Sequence, residues 1–211
     1  GRRLAPGKGP AVLASWSGSM FEYLMPMLVM PVCAGTLLDM TCKGAVRHQI
    51  RYGRRSGTPW GISESGYNGL DANGTYRYRA FGVPMLGMKR GLADDLVIAP
   101  YASAMALMIE PVEAVRNIQR LADSGVIGRF GLYEAVDYTP ARVPAGQPFS
   151  IVRAWMAHHN GMSLLAFNYL LHGQPMQRRF MSDLQLKSAE LLLQERIPLV
   201  RSRDHHRAAA T

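Results

Sequence analysis

With 211 residues and 48% hydrophobic side chains, the chain is long enough to bury a sizeable core in one domain, or in two. Its net charge of +9 and pI near 9.9 raise nucleic acid or an anionic membrane surface as partners. The spread of that charge argues against both: 20 of the 24 basic residues are Arg, placed singly or in pairs such as Arg54 and Arg55, with no dense run.

No apolar run approaches the roughly 18 to 20 residues that span a bilayer, and the opening GRRLAPGKGP lacks the apolar core of a signal peptide, so this chain is not expected to insert into a membrane itself. Residues 1–14 read as a lead-in. In SGSMFEYLMPMLVMP, Ser17 or Ser19 is a candidate N-cap for an apolar helix that Pro26 bends and Pro31 ends. TLLDMTCKGAVRHQIRYG follows with helical periodicity and a terminal glycine, Gly53. Cys33 and Cys42 have neither zinc-ligand nor disulfide-framework spacing and are expected to be buried thiols.

Trp60 to Gly82 has neither helical period nor sustained alternation. Loops this long are usually functional or disordered, and the density of aromatics speaks against disorder. Two helical hairpins are then expected. In the first, a nearly all-apolar inner helix over Leu96 to Ile109 precedes an amphipathic outer one over Val112 to Ser124. In the second, Trp155 to Leu171 is inner and Met176 to Glu195 outer, closing at Pro198. Between the pairs lies a second Gly-, Pro- and aromatic-rich loop, Gly125 to Ser150. The basic RSRDHHRAAAT, within residues 199–211, reads as a linker.

Hairpins with an apolar inner and an amphipathic outer member suit an all-α toroid of paired helices, with the long loops gathered at one end. Such a barrel takes about twelve helices of roughly 11 to 12 residues, more than this chain holds, so a partial barrel over residues 15–198 is expected.

The chain has only 15 acidic residues, yet Glu64, Asp71, Glu134 and Asp137 fall in the two aromatic loops. Aromatic faces beside acids and amides suit sugars, whose C–H faces stack on rings while their hydroxyls bond polar groups. Glycosidic-bond chemistry needs two carboxyl groups, one protonated to act as an acid, and Glu64 and Glu134 fit that requirement in type. Trp60, Tyr67, Tyr133 and Tyr138 are candidate stacking platforms or ordinary packing. Asn68 and Arg77 supply an amide and a cation, as do the further cations Arg79 and Arg129 near the loops. His158 and His159, at the start of the third apolar helix, could bond sugar hydroxyls or serve as capping or buried groups. Trp16, Trp155 and the Met residues are expected in the core. No ligand pair at helical spacing supports a metal, no GxGxxG or Walker loop supports a nucleotide, and no cofactor is expected.

SWSGSMFEYLMPMLVMP, TPWGISESGYN, YRYRAFGVPMLGMKRGLADDLVIAPYASAMAL, GRFGLYEAVDYTP, AHHNGMSLLAFNYLL and MQRRFMSDLQLKSAELLLQERIP together closely resemble the glycoamylase-like domain of cyclic β-1,2-glucan synthases, with related domains in endo-β-1,2-glucanases. The resemblance covers about residues 15 to 198. It implies the C-terminal part of an (α/α)6 barrel acting on β-1,2-glucan, by retaining cleavage and rejoining as in the synthases or by inverting hydrolysis as in the glucanases. The wording of MFEYLMP and MQRRF favours the synthase group. By position, Glu64 in SESGY and Glu134 in YEAVDY match acidic loop positions of that family and are the expected catalytic pair. Glu22 in MFEYL is a third candidate, against a helix-start carboxylate. The resemblance also implies part of a larger, multidomain bacterial membrane protein, the domain on the cytoplasmic side of the inner membrane or alternatively periplasmic or secreted. The rival class is a non-catalytic carbohydrate-binding or scaffold domain.

Overall fold

The computed structural model describes residues 4–5 and 12–196, so the basic tail and Pro198 lie outside the described residues. Ser19 is the cap that opens helix α1, Met20–Leu24. Its hydroxyl accepts from Glu22 N–H while the Glu22 carboxylate takes the Ser19 N–H, a reciprocal pair that satisfies two orphan donors of the helix start. At Pro26 the chain tightens into a 3-10 turn, Met25–Leu28, because proline offers no N–H to an α-ladder.

Helix α2 runs over Leu37–Ser56, capped by the Thr36 hydroxyl, with Asp39 in its first turn and Arg54 and Arg55 in its last, each matched to the helix dipole. The expected terminal glycine is not where the helix ends. Gly53 is interior, and Gly57 in the left-handed region (φ 68°) closes the helix. Gly53 has a different reason: a Cβ there would meet Trp60 Cβ at 2.7 Å. Cys42 is buried on this helix and donates to the Tyr23 carbonyl, and burial pushes its thiol up to about 12; Cys33 is half-buried and also free.

The chain is helix-rich but not all-α. The first long loop is a β-hairpin of β1, Ser65–Leu70, and β2, Tyr76–Arg79, in register Gly66 to Tyr78 with an irregularity before Leu70. Strand β3, Val97–Ile98, occupies the start of the segment expected to be wholly helical. It pairs with β6, Ala135–Asp137, which in turn pairs with β7, Ser150–Val152. A small hairpin, β4 (Ile127–Gly128) with β5 (Gly131–Leu132), completes the second loop. Strands β3 to β7 are too short to print a period of two, and β6 is buried at every residue, so its sequence has no reason to alternate.

Helix α3, Pro100–Met105, and the 3-10 turn Ala106–Met108 are buried throughout, as an inner element should be. Helix α4, Pro111–Asp123, is amphipathic, burying Ala114, Asn117 and Leu121. Helix α5, Ala157–Leu171, departs from expectation. Apolar around its circumference, it buries only His159, Met162 and Ala166, packing on α3 while Leu164 and Leu171 stay 68% and 72% exposed. Its outer companion is broken into α6, Pro175–Ser182, α7, Leu184–Ser188, and a 3-10 turn, Glu190–Gln194, because Asp183 leaves the helical region to cap α7. Gln177 ties α6 back to the Met27 carbonyl. Trp16 is 65% exposed rather than in the core, and the methionines divide: Met20, Met27, Met105, Met108 and Met162 are buried, whereas Met25, Met85 and Met88 are exposed.

Candidate active site

Three elements converge where α5 begins. Glu134 immediately precedes β6 and its N–H donates to the Ala154 carbonyl, which fixes the backbone beside β7. Its side chain crosses to β1, where Oε1 accepts from Gly66 N–H at 2.9 Å. A Cβ on Gly66 would lie 3.2 Å from Glu134 Cγ, so the glycine lets the carboxyl reach the strand backbone. Oε2 pairs with His159 Nδ1 at 2.9 Å, in the first turn of α5. Glu134 and His159 are 4% and 3% exposed.

The chain of contacts continues outward. His159 Nε2 lies 3.3 Å from the Tyr78 hydroxyl, which lies 3.4 Å from Glu64 Oε2 at the head of β1. Glu64 is half-buried, and burial followed by the charges of Glu64 and Glu134 raises the pKa of Tyr78 well above the ordinary phenol value. From α3, the Tyr101 ring lies flat on His159, and its hydroxyl pairs with Ser63 Oγ and donates to the Glu64 carbonyl. Sequence inspection missed Tyr78 and Tyr101. Tyr78 is placed by a register opposite Gly66 that only the structure shows, and nothing local in the sequence marks Tyr101.

The two acidic loops thus meet, through Gly66 and Glu134 and again through Asn68 N–H and Asp137 Oδ2 at 3.0 Å. Asp137, however, is fully buried. It takes Arg142 on both oxygens as well as Thr139 N–H, and Asn68 spends its amide on the Arg142 carbonyl, so these groups brace the loops against each other. Two Asp carboxylates, Asp137 and Asp95, outweigh burial and raise the pKa of Arg142. The Arg142 guanidinium sits 4.9 Å from the Tyr67 ring, and Tyr67 meets Phe81 edge-on. Asp71 is a turn residue, its Oδ1 accepting from Asn73 and Thr75 N–H at the exposed hairpin tip. Arg77 is exposed on β2. Trp60 is buried, its backbone fixed by Asn117. Tyr138 packs against Phe149.

Glu22 adopts the helix-start arrangement. Burial alone would raise its pKa, but bonds from Ser17, Ser15 and Ser19 outweigh it and lower it. His158 is exposed at 6.4 Å from the Tyr78 ring, available to solvent, whereas the His159 ring is enclosed by its three neighbours. Among the described residues no group of three or more His, Cys, Asp or Glu could hold a metal ion.

Beside this constellation is a cleft of ≈ 540 Å³ lined by Glu134, His159 and Tyr101 together with Phe130, Tyr133 and Phe167. Trp155, half-buried rather than core, stacks obliquely on Tyr133 at 4.9 Å and edge-on with Phe130 at 5.2 Å, making an aromatic cluster. Glu64 is not part of that lining and joins the constellation through Tyr78.

A helix-rich domain that lines an aromatic cleft with one carboxyl, Glu134, joined through His159 and Tyr78 to a second has components of a glycoside-active domain. The chain belongs to the glycoamylase family, whose model, described as "Putative glucoamylase", matches residues 4–183. It is 50% identical over 199 residues to the cyclic beta-(1,2)-glucan synthase NdvB of Rhizobium meliloti (strain 1021), covering 94% of this chain and 7% of that protein. Among solved structures, it resembles the endo-beta-1,2-glucanase from Chitinophaga pinensis with TM-score 0.59 at 15% identity, over 92% of this chain and 46% of that one. It also resembles the beta-1,2-glucanase from Parabacteroides distasonis, with TM-score 0.55 at 17% identity, over 90% of this chain and 26% of that one. The chain therefore spans less than half the length of each of these relatives, and among the described residues no helix is long and apolar enough to cross a membrane.

Proposed function

We propose that the chain is a carbohydrate-active domain that cleaves and rejoins glycosidic bonds in β-1,2-glucan, with Glu64 and Glu134 as its working carboxyls. The observation that carries this is the unbroken sequence of contacts Glu64, Tyr78, His159, Glu134, formed where the two acidic loops meet. A carboxyl receiving two N–H partners suits the group that must stay ionised as nucleophile, and one whose side-chain partner is a hydroxyl suits the group that exchanges a proton, so Glu134 takes the first role and Glu64 the second. The half-identical relative's name, a cyclic glucan synthase, favours transglycosylation over hydrolysis.

The uncovered faces of α4 and α5, with Val112, Val115, Leu164 and Phe167 exposed, suit a chain that supplies the C-terminal part of an (α/α)6 barrel and is completed by other helices of a larger bacterial membrane-associated protein. The domain would face the cytoplasm there. Incubation with linear β-1,2-glucan and analysis of the products tests the assignment. Cyclic product supports transglycosylation, shortened chains indicate a hydrolase, and no turnover with retained binding indicates a binding module. The burial of Glu134 favours that last alternative, because a substrate must displace part of its surroundings to reach it.

A further inference from the structure

We propose that the Tyr78 hydroxyl is a two-position proton link that couples the protonation of Glu64 to that of His159, an inference that rests on Glu64 being a working carboxyl. The geometry is that of one hydroxyl between two partners at near-equal range, 3.4 Å from Glu64 Oε2 and 3.3 Å from His159 Nε2. A phenol carries one proton and can donate to only one of them at a time.

The inner end of the chain decides the outer. An ionised Glu134 only accepts, so His159 Nδ1 carries the hydrogen facing it. With neutral His159, Nε2 is then an acceptor, Tyr78 donates to it, and Glu64 can complete the chain only by donating its own proton to the Tyr78 oxygen. With charged His159, Nε2–H donates to Tyr78 and the phenol proton turns to an ionised Glu64. The two arrangements hold the same number of protons. They interconvert when Glu64 gives a proton to Tyr78 as Tyr78 gives one to Nε2, leaving a carboxylate and an imidazolium. After Glu64 has spent its proton on a leaving group, neutral His159 and ionised Glu64 compete for one phenol proton.

The remaining titratable groups facing His159 do not replace this link. Tyr101, stacked on the ring from α3, directs its hydroxyl to Ser63 and the Glu64 carbonyl, and His158 on the same helix contacts by ring edge and face, with no hydrogen bond to it. Tyr78 is 43% exposed, yet partial desolvation and the charges of Glu64 and Glu134 oppose the ionisation of its hydroxyl.

The test is a double-mutant cycle read by nitrogen-15 NMR of His159 in the full chain: wild type, E64Q, Y78F and the double variant. Tyr78→Phe keeps the ring beside His158 and His159, and Glu64→Gln keeps the side-chain volume. E64Q is expected to shift the His159 titration by about 0.4 to 1 pH unit more when Tyr78 is present than in the Y78F background, the equivalent of one net hydrogen bond. Where the ring does not titrate in the accessible range, the Nε2 chemical shift gives the same reading: Y78F must move it, and E64Q must move it further with Tyr78 present than in the Y78F background. Equal effects of E64Q in both backgrounds overturn the proposal. Turnover is not part of this readout, so its failure leaves the catalytic assignment to be judged separately by the activity of E64Q and E134Q.

Discussion

The Tyr101 ring lies on the His159 ring with centroids 3.7 Å apart and planes 11° from parallel, while its hydroxyl donates to the carbonyl of Glu64. One buried side chain of α3 therefore fixes both the ring that orients Glu134 and the backbone that carries Glu64. Removal of the hydroxyl alone, in Tyr101→Phe, keeps the stack and takes a partner from the buried Ser63 hydroxyl and the part-buried Glu64 carbonyl. The expected cost is about 1 to 3 kcal/mol in urea unfolding. Turnover on β-1,2-glucan should fall in kcat more than in KM, because Glu64 is displaced while the sugar contacts remain. An unchanged kcat in a destabilised protein would show that the Tyr101 hydroxyl serves folding alone.

Glu64→Gln and Glu134→Gln should each lower turnover by at least about a thousandfold while glucan binding persists, the scale of losing proton transfer or covalent catalysis. Azide should restore the variant that has lost its nucleophile, giving a glycosyl azide of inverted configuration. The role proposed for Glu134 places that rescue in Glu134→Gln; rescue by the same route in Glu64→Gln would exchange the two roles.

Stability should fall as pH drops through two windows. Burial, followed by the charges of Arg51 and Arg55, lowers the pKa of His48, and burial, followed by His159, lowers that of His158. The unfolded chain therefore binds protons first, and stability is lost as pH falls from the ordinary histidine value of 6.5 toward the lower folded values. Glu22, whose folded pKa lies below 4.5, adds a second loss as pH falls from there through its folded value. Urea midpoints at a series of pH values check the sign, and His48→Gln should flatten the first window.

Much of the helical frame was legible in the sequence. Ser19, Pro26 and the apolar period of α4 did locally what capping and periodicity predict. The strands were not legible, because two- and three-residue ladders such as Val97–Ile98 on Ala135–Asp137 are selected by pairing partners remote in sequence. Of the candidate site, the acidic loops could be named but not the job of each acid. Asp137 and Glu134 sit three residues apart in similar wording, yet one meets Arg142 and the other His159, and only the fold separates them. The half-exposed α5 has another cause: its all-round apolarity requires neighbours that the described residues do not supply.

Gly53→Ala sets two effects against each other. Helix propensity favours alanine by about 0.8 to 1 kcal/mol. The new Cβ, however, would stand 2.7 Å from Trp60 Cβ and 3.1 Å from the Pro59 carbonyl oxygen, contacts that neither a flexible tip nor open space can relieve. Overpacking of that kind costs about 1 to 3 kcal/mol, so a net loss of stability is expected. A thermal melt that rose would show that α2 can move away from the Trp60 loop.

Arg142 offers the sharpest test of how the loops are held together. Its guanidinium, 18% exposed, bonds both Asp137 oxygens and reaches Asp95, while Asp137 is fully buried and also receives Asn68 N–H from the hairpin. Arg142→Ala leaves that carboxylate without its cation in the interior, and removing one partner of a buried pair costs about 3 to 5 kcal/mol. Removing both charges together, in D137N with R142M, should recover part of that cost, since the penalty belongs to the unpaired charge. The site should respond as well: Asp137, left without the cation that orients it, holds Asn68 N–H of strand β1 less firmly, and Gly66 on the same strand holds Glu134 less firmly. Hydrogen exchange at Gly66 and Asn68 should therefore accelerate in R142A more than exchange in α4, whose contacts are elsewhere. Uniform acceleration across both elements would show that the Arg142 cluster stabilises the whole fold without specifically joining the two loops.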